Sequence, residues 1–153
     1  MPDFSFRLLP DFIEKYKDVE PPFGFRDAGG NSLGELTFLR TYSNLNSDGT
    51  KERWLDTCVR VTNGTYSIQK SHAKNNKLEW NDQKGQSSAK EFFDRMFNLK
   101  WTPPGRGLEK MGSKQVMDGN SASLQNCAVI STGDIDRHDP GAEPGAGGLA
   151  RTA

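Results

Sequence analysis

The sequence predicts an α/β chain: a mainly helical region that leads into one buried strand. Two observations give the helices. Trp54, Leu55, Cys58, Val59 and Thr62 share one helical face across residues 51–63, with Lys51, Glu52, Arg53, Asp56 and Arg60 mostly opposite. Ala89, Phe92, Phe93, Met96 and Phe97 repeat the pattern further along. A third observation gives the strand. Residues 121–132, SASLQNCAVIST, carry no charge on either face, as suits a strand covered on both sides. Leu124, Asn126, Ala128 and Ile130 would point one way, and Ser123, Gln125, Cys127 and Val129 the other.

Taken in order, residues 1–34 are expected to hold one short helix and a loop. The helix runs from about Pro10, suited to a first helical position, to Lys17, and Pro21-Pro22 stop it. Gly24 and Gly29-Gly30 mark the loop. Residues 35–120 form a helical region. Glu35 to Tyr42 is ambiguous, because Leu36, Phe38 and Tyr42 alternate while Leu36 and Leu39 fit a helix. In the 51–63 helix Thr50 is the expected cap and Asp56–Arg60 an i,i+4 pair, with Gly64 ending the run in a left-handed turn. Residues 73–87 read as polar and irregular. Ser88-Ala-Lys-Glu91 then forms a capping box at the head of the next helix, which Pro103-Pro104 end. Thr102 to Lys114, TPPGRGLEKMGSK, is expected to be a Gly-rich loop.

Composition narrows the function classes. Apolar residues are 33%, against roughly 45–50%, a count that includes Gly, in an average domain, so the core should be small. Nine Phe, three Trp and three Tyr concentrate it in aromatic patches. Twenty basic and twenty acidic residues cancel, which argues against a dedicated nucleic-acid binder. Cys58 and Cys127 lie too far apart for a zinc pattern or a disulfide framework, and no metal site is expected. No signal design and no run of about 20 apolar residues is present, so the expectation is a soluble, cytoplasmic chain with no membrane partner. The Asn63-Gly64-Thr65 sequon is read as chance.

Cys127 is the candidate reactive residue. A buried cysteine is usually an inert small hydrophobe, and spacing alone favours that reading. Its neighbours Ser123, Gln125 and Asn126 weigh against it, since unpaired buried polar groups cost about 1–3 kcal/mol each and a ligand could pair them. Cys58 reads as core packing. Gly105, Gly107 and Gly112 with Arg106 could cradle a phosphate, although no Gly-Lys-Ser/Thr makes this a Walker loop. His72 and His138 read as solvated, and Asp134, Asp136, Arg137, His138 and Asp139 as a mixed-charge loop.

Three pieces in order carry a family resemblance: Arg-Thr-Tyr-Ser (40–43), Pro-Pro-Gly-Arg-Gly (103–107) and Ser-Leu-x-Asn-Cys (123–127). From about Phe23 to Pro140 the chain resembles the N-terminal part of adenosylcobalamin-dependent ribonucleotide reductases, in their monomeric, triphosphate-using branch. Glu109-Lys110 depart from the aromatic residue often found there. The glycyl-radical anaerobic reductases are the related runner-up. The resemblance implies a ten-stranded α/β barrel begun by the 121–132 strand. It also implies homolysis of a cobalt–carbon bond, a cysteine thiyl radical that takes the substrate 3′-hydrogen, and two further cysteines that reduce the ribose. Cys127 would be one of that pair, with Thr102, Ser123 and Asn126 near the substrate. The implied partners are a ribonucleoside triphosphate and a thioredoxin-type reductant, and the implied product serves DNA synthesis.

The other reactive residues of the family would lie beyond this chain, leaving the barrel incomplete. Residues 133–153 are expected to be a disordered tail. Ten of the last fourteen residues, Pro140–Ala153, are Gly, Ala or Pro, and a frameshift or premature stop near Ala142 is the expected origin. On this reading the chain alone is inactive. The alternatives are a binding module that complements or docks on a separately encoded reductase, and a free-standing phosphate-binding domain.

Overall fold

The structure, a computed structural model, describes residues 5–24, 26–46 and 48–125. Six helices form among the described residues: α1 (Pro10–Glu14), α2 (Leu33–Thr41), α3 (Trp54–Asn75), α4 (Asp82–Phe97), α5 (Gly105–Lys110) and α6 (Lys114–Met117), followed by a 3-10 turn at Ser121–Leu124. No strand occurs among the described residues, where pairing is limited to the isolated bridges Arg26–Ser32 and Leu45–Lys51.

The helices α3 and α4 are the frame. Trp54 lies by Phe97, Tyr66 by Ser88 and Lys70 by Asp82, so the two run antiparallel. Both apolar stripes face inward: Trp54, Leu55, Cys58, Ala89, Phe93, Met96 and Phe97 are buried. The Trp54 indole N–H donates to the Phe97 carbonyl at 3.0 Å, which pairs a polar group at the centre of the aromatic core. Phe23, Phe38 and Trp54 pack on one flank. Phe12, Tyr16, Phe93 and Phe97 pack on another. The ambiguous segment 35–42 resolves as helix, with Phe38 as the inward residue of α2.

The chain before α1 lies extended across the frame. Phe6 and Leu8 alternate inward, and their amides donate to Ser67 Oγ at 2.9 Å and Asn63 Oδ1 at 2.8 Å, one turn apart on α3. Gln86 of α4 donates to the Arg7 carbonyl. Asn63 of the sequon is thus a helical residue holding its own chain.

Several expected boundaries move. Helix α3 does not end at Gly64; it runs on to Asn75 with Gly64 buried inside it. The reason is packing: a Cβ on Gly64 would stand 2.4 Å from Gly112 Cα. Thr50 bonds Asp48 instead of capping α3, whose start is closed by the Asp56 carboxylate accepting the Arg53 amide at 2.9 Å. Helix α4 begins under Asn81, whose side chain accepts the Lys84 amide, so most of the stretch expected to be irregular is helical. The expected capping box lies inside α4, where Ser88 bonds the Tyr66 hydroxyl at 2.6 Å and Glu91 pairs with Arg95.

Helix α1 ends at Glu14, short of the expected Lys17, and Tyr16 in the turn after it ties that end to α4 through a 2.7 Å hydrogen bond from its hydroxyl to Asp94. Burial, then the Asp94 bond and charge, push the phenol from 10.0 up to about 12. A raised folded-state value means this contribution to stability is whole below pH 10 and is lost as the pH climbs toward 12. Tyr16→Phe is expected to flatten the alkaline limb of the stability curve, read by urea unfolding at stepped pH beside ultraviolet tyrosinate titration. An unchanged limb would refute it.

Candidate functional site

The segment from Thr102 onward carries the expected site, and α3 positions it. Pro103-Pro104 turn the chain after α4, and the expected Gly-rich loop is in part the short helix α5. Its glycines answer to close packing. A Cβ at Gly105 would meet the Tyr42 ring at 2.8 Å, and one at Gly107 would meet Pro103 at 3.0 Å. Gly112 combines φ +75° with a 2.3 Å approach of its absent Cβ to the Arg60 carbonyl. Arg106 is engaged with Glu109 at 3.2 Å. The glycines are therefore explained without a bound phosphate.

The segment is anchored by a buried ion pair that hydropathy assigned to the solvent face. Arg60 Nε lies 2.7 Å from Glu52 Oε1, with the two side chains only 13% and 10% exposed. Arg60 does not pair with Asp56, as its i,i+4 spacing suggested; Asp56 serves the head of α3. The guanidinium also donates to the carbonyls of Met111 at 2.6 Å and Leu108 at 2.8 Å. Glu52 Oε2 accepts from Thr57, from the Asn44 amide and from Arg60. Asn44 Nδ2 donates to the Glu109 carbonyl at 2.9 Å. Burial alone would raise the Glu52 carboxyl, but the Arg60 hydrogen bonds and charge, helped by Thr57 and Asn44, outweigh it and hold the carboxyl below its ordinary 4.5.

Of the expected site residues, Thr102 is exposed, just ahead of α5. Ser123 is half-buried in the 3-10 turn, where its hydroxyl donates to the Asn120 carbonyl at 2.8 Å. The turn packs on α5 and α6. No hydrogen bond joins Thr102 to Ser123. Asn126 and Cys127 lie outside the described residues, as do most of the expected strand and the whole expected tail. Over the described part of that strand, residues 121–124 form the 3-10 turn, and Gln125 alone is extended. A strand requires a neighbour to take its backbone hydrogen bonds, and the described residues provide none.

Cys58 is completely buried in the α3–α4 core, and burial pushes its thiol far up, away from the reactive thiolate. Among the described residues no cluster of His, Cys, Asp and Glu is placed to hold a metal ion. No helix there is long and apolar enough to cross a membrane.

Comparison with known proteins gives the arrangement a family. The ribonucleotide reductase alpha domain matches residues 8–113. A probable adenosylcobalamin-dependent ribonucleoside-triphosphate reductase of Dictyostelium discoideum is 45% identical over 135 residues, which are 88% of this chain and 17% of that protein. The adenosylcobalamin-dependent ribonucleoside-triphosphate reductase of Euglena gracilis is 40% identical over 86% of this chain and 18% of its own length. The crystal structure of a B-12 dependent (class II) ribonucleotide reductase superposes with a TM-score of 0.64 at 26% identity, over 80% of this chain and 16% of that one. The chain thus spans about a sixth of the proteins it resembles. With two-thirds of its length inside that match, the chain belongs to the ribonucleotide reductase alpha domain family.

Proposed function

We propose that this chain is the N-terminal part of an adenosylcobalamin-dependent reductase of ribonucleoside triphosphates. The observation that carries the reading is the 45% identity, across 88% of the chain, to the Dictyostelium protein of that name. In this reading the helical frame seats the barrel, and Cys127 lies on the first barrel strand as one of two reducing thiols. A thiyl radical elsewhere in the reductase removes the 3′-hydrogen, the 2′-hydroxyl leaves as water, and the two thiols supply the reducing equivalents and close to a disulfide. Net, one ribonucleotide and two thiols become one deoxyribonucleotide, one disulfide and one water. A thioredoxin-type dithiol restores the pair.

Cys58 packs in the α3–α4 core, with burial raising its thiol, and is not assigned to the pair; the second thiol is assigned to the remainder of the reductase. Thr102, Ser123 and Asn126 are assigned to the substrate side. The groove between the N-terminal segment and α3 has a volume of about 560 Å³, within the size range of pockets for drug-sized ligands. Adenosylcobalamin is assigned to the assembled reductase, as in the relatives named for it.

The test is a chimera of residues 1–132 joined in register to the remainder of the Dictyostelium relative. It should reduce ribonucleoside triphosphates only with adenosylcobalamin, while the 153-residue chain alone should not turn over. Cys127→Ser should abolish multiple turnover with a dithiol reductant. Cobalamin-independent turnover, or full turnover with Cys127→Ser, would sink the reading.

A further inference from the structure

We infer that Arg60 is a positioning residue, whose guanidinium fork sets α5 and, through it, the segment leading toward Cys127. The inference rests on the reductase reading for its functional half and on geometry for the rest. Helix α5 has six residues, too few to hold itself in water, and its last carbonyls have no partner within the helix. Two side chains from outside supply donors. Arg60 takes the Leu108 and Met111 carbonyls, and Asn44 takes that of Glu109. Asn44 is in turn fixed to Glu52 through both backbone and side chain. Gly112 then crosses α3 against Gly64 and the Arg60 carbonyl, at a separation no side chain would permit. The chain leaves that crossing into α6 and the 3-10 turn carrying Ser123, which packs back on α5.

Stability alone does not account for an ion pair here, because well-packed apolar residues often serve a buried site equally well. What the pair adds is direction. Arg60 bonds the carboxylate and two carbonyls of a different element at once, which the single ammonium of lysine cannot reproduce. Glu52 holds the fork in the required orientation.

Hydrogen exchange on the 153-residue chain tests the geometry without turnover. In Arg60→Lys, and in the paired Arg60→Met/Glu52→Met, the Leu108, Met111 and Ser113 amides should exchange about tenfold faster or more relative to α3 and α4. The double-Met chain should recover global stability lost in Arg60→Met alone, yet leave α5 fast. Wild-type α5 protection in Arg60→Lys, or its return with stability in the double variant, would overturn the inference. In the chimera, Arg60→Lys should lower kcat about tenfold. Unchanged kcat beside accelerated exchange would defeat the positioning role and leave the reductase reading standing. An inactive unaltered chimera would defeat that reading while the exchange result stays decisive for α5.

Discussion

Gly64→Ala should destabilise the chain by about 3 kcal/mol or more, although it replaces a poor helix former with the best one. On an exposed helix the same change would stabilise by roughly 1 kcal/mol. Here a new methyl would stand 2.4 Å from Gly112 Cα and 2.5 Å from Gly112 N. Both are backbone atoms, so no side chain can swing aside. Gly112 cannot retreat cheaply, since its own position lies against the Arg60 carbonyl with φ +75°. The alternatives are to bend α3, the central helix, or to lift residues 111–113 and break the Met111 carbonyl bond to Arg60. Urea unfolding followed by circular dichroism measures the loss. Gly49→Ala is the comparison: unlike helical Gly64 it has positive φ, +83°, but nothing lies within 4 Å, so its cost should be that of the backbone alone. Equal costs at the two positions would refute the steric account.

What the sequence revealed and concealed divides along physical lines. The stripes at Trp54–Thr62 and Ala89–Phe97 were legible because burial imposes the helical period, and the buried residues follow it. Gly64 is ambiguous in sequence, because a glycine that ends a helix and one that lets another backbone approach look alike. The choice depends on Gly112, 48 residues away. The first turns of α4 were missed because residues 82–88 offer almost no apolar pattern; the Trp80 ring against Gly85 and the Gln86 bond to Arg7 do that work instead. Arg60 and Glu52 were placed on the solvent face because hydropathy scores a charge alone, not as half of a pair. Position gave no hint of the pair: eight residues apart is beyond any contact along a single helix. Glu52 precedes α3 and folds back to meet Arg60, a tertiary event. In the expected site, Thr102 and Ser123 were legible only through the family motifs, and the glycines that suggested a phosphate cradle lie in close packing against Tyr42, Pro103 and Arg60, contacts that no local pattern announces.

Glu52→Gln should cost about 3–5 kcal/mol at neutral pH and change how the chain responds to acid. The substitution keeps shape and volume but leaves the Arg60 charge buried beside a neutral amide, one end of which faces guanidinium donors. Arginine cannot shed its proton to relieve this. In the native chain the Glu52 carboxyl titrates below its ordinary 4.5 because folding places it against Arg60, Thr57 and Asn44. A depressed folded-state value binds fewer protons folded than unfolded, so the stabilisation is complete above pH 4.5 and is withdrawn as the pH falls through the lower folded value. Acid should therefore reproduce on the native chain part of what Glu52→Gln does at neutral pH. The two stability curves should converge below pH 4.5, with the variant flatter across that window. Urea midpoints at stepped pH decide it, and curves that stay parallel would show that Glu52 holds no pH-dependent stability. Arg60→Met should be at least as costly at neutral pH, since it strands the carboxylate and the Leu108 and Met111 carbonyls together, and its deficit should shrink in acid as Glu52 takes up a proton. Opposite charges removed one at a time, with both deficits closing in acid and that of Arg60→Met beginning to close at a higher pH because burial raises an unpaired Glu52, would locate the pH dependence in the pair and not in the exposed carboxylates.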